Sequence, residues 1–245
     1  MSNFSNIGFP IATEEQLYEL AERAYQQSMP YPSEKGTYYC YADPSGAELW
    51  IQISQENELI GINPHFRGSS SRRVGITTSL DRPPSIMDGG FHAWSEPQDP
   101  EKPDTGLYPF VFDSPDYRLV DLKDVGVESH IQLTGFTFEL GVYQDEEAYM
   151  AQQEGKIKYS AESFIPMGLW GSGEEGQGPE ATAMLAGTIK EAELKTNMLT
   201  GERFYSMLVE TLGGEIDLVA DPNIFEIEPL VGGIAMGSFW LSGKI

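Results

Sequence analysis

Few residues in this chain offer chemistry, and their spacing assembles no catalytic set. His65, His92 and His130 sit in three separate segments, and no two share a helical or strand spacing that would converge on a metal ion. Cys40 is the single cysteine. It stands in GTYYCYA, where a buried, inert thiol is a simpler expectation than an activated nucleophile. A lone cysteine forms no internal disulfide and builds no cysteine-based metal site. Neither a G-x-S-x-G elbow nor a P-loop occurs. Carboxylate pairs such as Glu14-Glu15, Glu146-Glu147 and Glu174-Glu175 have plain capping or solvent-face explanations in so acidic a chain. The expectation is therefore no catalytic residue, no metal and no cofactor.

One segment departs from this background. Pro64-His65-Phe66-Arg67-Gly68, followed by Arg72 and Arg73, is the concentrated positive charge of the sequence. Arginine forks suit carboxylate or phosphate groups. One reading is a pocket for a small anionic ligand, formed by His65, Arg67, Arg72 and Arg73 and completed by His92 and Trp94 of GGFHAWSEP. The other is that these arginines pair with the chain's own carboxylates. A second candidate is a groove beside Phe204, Tyr205 and Trp240, for which core packing is an equally good account.

Composition restricts the partners. The 245 residues carry 15 Lys and Arg against 38 Asp and Glu, a formal net charge of −23. Such a chain repels polyanions, and nucleic-acid binding requires a basic face to displace phosphate counterions. A basic protein partner is the complementary expectation. A hydrophobic fraction of 40% is too rich for disorder. No apolar run approaches the roughly 20 residues that span a bilayer, and no basic-then-apolar leader opens the sequence, so a cytoplasmic protein is expected.

The elements that must position these residues read as α+β, mostly antiparallel β with few helices. Residues 4–11 (FSNIGFPI) read as a strand. Thr13 and Gln16 then form a capping box ahead of Leu17, Leu20, Ala21, Ala24 and Tyr25, a single apolar stripe on a helix that ends near Ser28. GTYYCYADPSGAELWIQIS reads as a hairpin about Asp43-Pro44-Ser45-Gly46, with Leu49, Ile51 and Ile53 on one face and Glu48, Trp50 and Gln52 on the other. ELIGI adds a further strand. Residues 63–126 are difficult to assign, with SEPQDPEKPDTG as an exposed loop. IQLTGFTFEL and DEEAYMAQQ repeat the strand-then-helix signal at another spacing, which leaves a duplicated module open. GSGEEGQGPE reads as a flexible acidic loop. Strands are expected near 183–195, 202–211, 215–220 and 234–242, with reversals at Asn197 to Gly201 and at Gly213-Gly214. Gly187 suggests a bulge. The natural division is residues 1–125 and 126–245.

The order strand, helix, three strands, with its DPSG turn, resembles one βαβββ module of the vicinal oxygen chelate (glyoxalase-like) superfamily over residues 4–66. Metal-binding members place a His in the first strand and a Glu in the strand after the turn. Ser5, Asn6 and Ile7, and Trp50 to Gln52, occupy those neighbourhoods here, so the resemblance carries no ligand set with it. Residues 181–245 resemble an OB-like small barrel in pattern. Through SGAELWIQI, ESFIPMGLW, VETLGGEIDLVADP and GSFWLSGKI, the whole chain resembles an uncharacterised bacterial protein family to which no activity attaches. Two functional readings follow. One is a non-catalytic binding or interaction protein whose acidic surface meets a basic partner. The alternative is a small-molecule enzyme or ligand carrier with an anion pocket near His65 and Arg67. The oligomeric state is not legible.

Overall fold

The computed structural model describes residues 2–121, 123, 125–153, 158–169 and 178–245. The expected acidic loop over 171–180, with Glu174-Glu175, lies largely outside the described residues. Among those described, two helices and thirteen strands form a helix-poor α+β fold with mostly antiparallel sheets. None of these helices is long and apolar enough to cross a membrane.

Residues 4–11 are not a strand. Ser5–Ile7 form a 3-10 turn closed by Gly8 at φ +76°. The reason lies in Asn6, which is fully buried, donates from Nδ2 to Thr137 O and accepts from Asp221 N. A polar side chain satisfied in this way fixes a turn where apolar composition alone suggests extended chain. Helix α1 (Glu14–Tyr25) has the full capping box between Thr13 and Gln16 and buries Leu20, Ala21 and Ala24.

Four strands follow α1 as an antiparallel sheet in sequence order: β1 (Met29–Ser33), β2 (Gly36–Ala42), β3 (Ala47–Ser54) and β4 (Leu59–Phe66). Pro30 and Pro32 are accommodated because β1 is an edge strand. The β2–β3 turn is held by Asp43, whose Oδ1 accepts from Ser45 N and Oγ. β3 is buried on both faces. Leu49 and Ile51 pack with Leu20, Ala24, Phe136 and Phe204, while Glu48, Trp50 and Gln52 are buried on the opposite face.

That second sheet contains β5 (Arg72–Asp81), β6 (Gly89–Ser95), β7 (Pro109–Ser114), β8 (Glu128–Tyr143), β9 (Ser163–Met167), β10 (Thr182–Thr196), β11 (Arg203–Thr211), β12 (Gly214–Ala220) and β13 (Ile234–Lys244). Helix α2 (Glu146–Gln152), capped by Asp145, follows β8. Strand order is β11-β12-β8-β5-β6-β7-β13-β10-β9. A β10–β11 pairing closes eight strands into a ring, and a β8–β13 pairing bridges it. The division between sheets falls between Phe66 and Arg72, so β5 to β7 lie in the same sheet as the strands that follow residue 125.

The ring is built twice over. In β5–β8 and again in β10–β13, three strands form an antiparallel meander and the fourth pairs antiparallel with the first. The third strand of each unit pairs in parallel with the fourth of the other, β7 with β13 and β12 with β8. Exchanging the two units maps this pairing onto itself. Local detail repeats as well. Bulges interrupt β5 between Ile76 and Thr78 and β10 between Ile189 and Glu191. Ile76 exchanges backbone hydrogen bonds with Gly126 and Val127, and Ile189 does so with Gly232 and Gly233. Gly126 and Gly232 both have φ +87°. The repeat is therefore 72–143 against 182–244, and the helix α1 region takes no part in it. Side chains of both units share one core, including Val74, Phe91, Phe112, Ile189, Met207 and Leu218.

Candidate functional site

The arginine-rich segment does not converge on a common cavity. His65, on β4, is fully buried between the two sheets, with Nδ1 2.9 Å from Ser242 Oγ. Burial pushes its pKa down to about 3, with the nearby Lys244 charge acting in the same direction, so the imidazole is neutral. Arg67, two residues on, has a largely exposed side chain 3.8 Å from Glu48. It lines a hollow of about 300 Å³ that also contains Glu191, Glu193 and Asp217. Asp217 is itself the anion held by this loop, accepting from Ser69 N at 3.1 Å and Ser70 N at 3.0 Å. Gly68 is required beside it, because a Cβ there would lie 2.1 Å from the Asp217 carboxyl carbon.

Arg72 points into the ring, fully buried, with Nη2 donating to Leu212 O and Gly214 O. Arg73 pairs with Glu96 at 2.8 Å and Glu128 at 3.2 Å. His92 lies on β6 with Nδ1 3.0 Å from Thr77 Oγ1, and Trp94 follows it on the same strand opposite Gly75. The structure thus brings His65, Arg67 and Glu48 into one neighbourhood and leaves Arg72, Arg73, His92 and Trp94 apart from it. The cations of this segment are met largely by carboxylates and carbonyls of the same chain.

Cys40 is buried, and burial pushes its thiol up to about 12, with the Glu48 charge adding to the effect. Among the described residues, no group of three or more His, Cys, Asp or Glu side chains is placed to hold a metal ion. Of the second candidate set, Phe204 is fully buried, Tyr205 packs on Phe225 and Trp240 on Phe136.

A different surface combines exposed apolar side chains with charge of one sign. Helix α1 crosses the open face of the four-stranded sheet and leaves a groove of about 370 Å³ beside it. Its walls are Tyr18, Ala21, Glu22 and Tyr25 from α1, and Ile51, Ile53, Asn57 and Leu59 from β3, the β3–β4 turn and β4. Tyr18, Ala21, Glu22 and Tyr25 recur at i, i+3, i+4 and i+7, so one helical stripe forms the wall. Tyr18 is 53% exposed, Tyr25 44% and Leu59 38%. The aromatic wall is held in place: Tyr25 packs on Tyr39 at 4.6 Å between ring centroids, and the Tyr18 hydroxyl donates to Glu14 at 3.1 Å. Glu15 and Glu19 are exposed on the same helix, and Glu56 and Glu58 bracket Asn57 in the turn. None of the lining residues is basic.

Sequence periodicity identifies the helix but assigns Tyr25 to the buried stripe. The usable signal is the alternation of Glu14, Glu15, Glu19 and Glu22 with Tyr18 and Tyr25, which leaves aromatic rings among carboxylates. No family model matches the chain, and neither a curated protein nor a solved structure is similar to it.

Proposed function

We propose that this is a non-catalytic binding protein that docks a basic, amphipathic segment of a partner protein in the groove between α1 and β3–β4. The observation that carries this reading is the pairing of an exposed tyrosine and leucine wall with flanking glutamates and no lining cation. A partner segment with apolar side chains on one face and Lys or Arg on its flanks would bury the first and neutralise the second. Exposed carboxylates occur on many other elements, so the net charge raises the local concentration of basic partners over the whole surface. The apolar wall gives the groove its selectivity.

The test is a titration of the ¹⁵N-labelled protein with a synthetic Leu/Lys amphipathic helix and with its Leu/Glu counterpart. The basic peptide should shift the amides of α1 and the β3–β4 turn, bind more weakly as salt is raised, and lose at least tenfold in affinity in a Tyr18→Ala/Leu59→Ala variant. Equal binding of the acidic peptide, or a footprint elsewhere, would rule the groove out.

A further inference from the structure

A second site lies where the two sheets meet, and it is independent of the groove. Asn63 of β4, Arg82 and Asp88 of the β5–β6 connection, Asp113 of β7, and Trp240 and Ser242 of β13 line a cavity of about 130 Å³. That is on the order of ten times the volume one water needs, enough for a small organic molecule.

The charges in its wall do not cancel. Asp113 and Arg82 neutralise each other. Asp113 Oδ1 accepts from Arg82 Nε at 2.8 Å and lies 2.7 Å from Nη2, while Oδ2 accepts from Trp240 Nε1 at 2.7 Å. Burial raises the pKa of the Asp113 carboxyl above the usual range, a cost that Arg82 and Trp240 oppose and the Asp88 charge increases. Arg82 is further engaged by Pro179 O. Asp88 has no such cation. Its Oδ1 accepts two amide donors, Gln52 Nε2 at 2.5 Å and Asn63 Nδ2 at 2.6 Å, which fix the carboxylate without neutralising it. Asp88 forms no ion pair among the described residues. The lining therefore carries one unpaired negative charge, held by two side chains of the four-stranded sheet.

We propose that this cavity binds a small primary ammonium compound, with the Asp88 carboxylate as its charge partner. An ammonium presents three N–H donors. Asp88, Asn63 and Ser114 all line the cavity, and among the described residues Asp88 Oδ2, the Asn63 side-chain carbonyl and the Ser114 hydroxyl, which itself donates to Asp116, receive no side-chain hydrogen bond. A small anion would face Asp88 and find the one lining cation already bound to Asp113. A hard divalent cation would want six or more oxygens, and both Asp113 oxygens are committed.

The indole N–H of Trp240 reports directly on this cavity, because it donates to Asp113 in the wall. Titration with ethanolammonium chloride should move that signal saturably, and sodium glycolate at equal ionic strength should not. Asp88→Asn should weaken ethanolammonium binding at least tenfold, since a charge-assisted contact becomes a neutral one. Ser114→Val narrows the cavity and leaves both amide contacts to Asp88 intact, so it should weaken binding as well and covers the case in which Asp88→Asn does not fold. The proposal is overturned by a glycolate response, by the lack of a saturable ethanolammonium response, or by folded variants that bind as the parent does.

Discussion

Arg72 enters the ring with its guanidinium fully buried and 4.9 Å from the Phe164 ring centroid, and burial lowers its pKa. It forms no ion pair among the described residues, so two carbonyls, an aromatic face, Tyr108 and the more distant Glu96 charge are what oppose the desolvation of a full charge. That balance suits a broad, weakly hydrated guanidinium much better than an ammonium. Arg72→Lys should therefore destabilise the fold more than Arg72→Met, by about 2 kcal/mol in urea unfolding, because methionine removes the buried charge while keeping most of the volume. His65 supplies a pH dependence with a definite sign. The unfolded imidazole takes up its proton near 6.5 and the folded one only near 3. Below 6.5 the unfolded state binds more protons, so this contribution to stability is complete above 6.5 and is lost as the pH falls toward 3. His65→Gln should show a smaller loss of urea midpoint over that interval than the parent. At this scale the sequence is uneven as a guide. Cys40 is legible as a buried thiol from its tyrosine-rich strand. The fate of the arginines is not, because Asp217, Glu96 and Glu128, which meet the loop and Arg73, lie 23 to 148 residues away.

Among the elements, those written by local chemistry are legible. Thr13 and Gln16 specify the start of α1, and the strands expected near 183–195, 202–211, 215–220 and 234–242 agree with β10 to β13 to within about two residues. The 3-10 turn at Ser5–Ile7 and strand β1 are illegible for opposite reasons. The first depends on remote partners of Asn6, and the second contains prolines that argue against a strand until its edge position is known. The groove shares this fate, since Ile51, Ile53 and Leu59 become its floor only when α1 is laid across β3. The joints that precede β8 and β13 offer a test of the repeat. A Cβ at Gly126 or Gly232 would meet nothing within 4 Å, so an alanine there suffers only from the left-handed backbone at φ +87°. Each substitution should cost about 1 kcal/mol, and the two should agree closely in thermal melts. A clear difference would show that the two units do not share this joint.

In the whole molecule, the doubled ring explains why its duplication is hard to read in one sequence. Equivalent interior positions hold different side chains, such as Phe91 and Ala93 in one unit and Met207 and Val209 in the other, and a shared core needs only that their volumes complement each other. The parallel pairings join residues as distant as Asp113 and Ser242, a separation that no local pattern announces. They also make the two units inseparable, because each meander reaches the fourth strand of the other. The net charge of −23 belongs to this scale as well, and it opposes edge-to-edge pairing of the strands that the ring leaves open.

The position of β13 has a consequence for biosynthesis. It is the last strand of the ring and the one that pairs with β8, β10 and β7 together. A ribosome that has extruded the chain only through residue 233 therefore holds two meanders that can meet only along the short β12–β8 seam, with residues 137–143 of β8 still lacking their partner strand. The ring closes only when β13 bridges β7 and β10. Until then the unpaired part of β8 is a template for pairing with other chains.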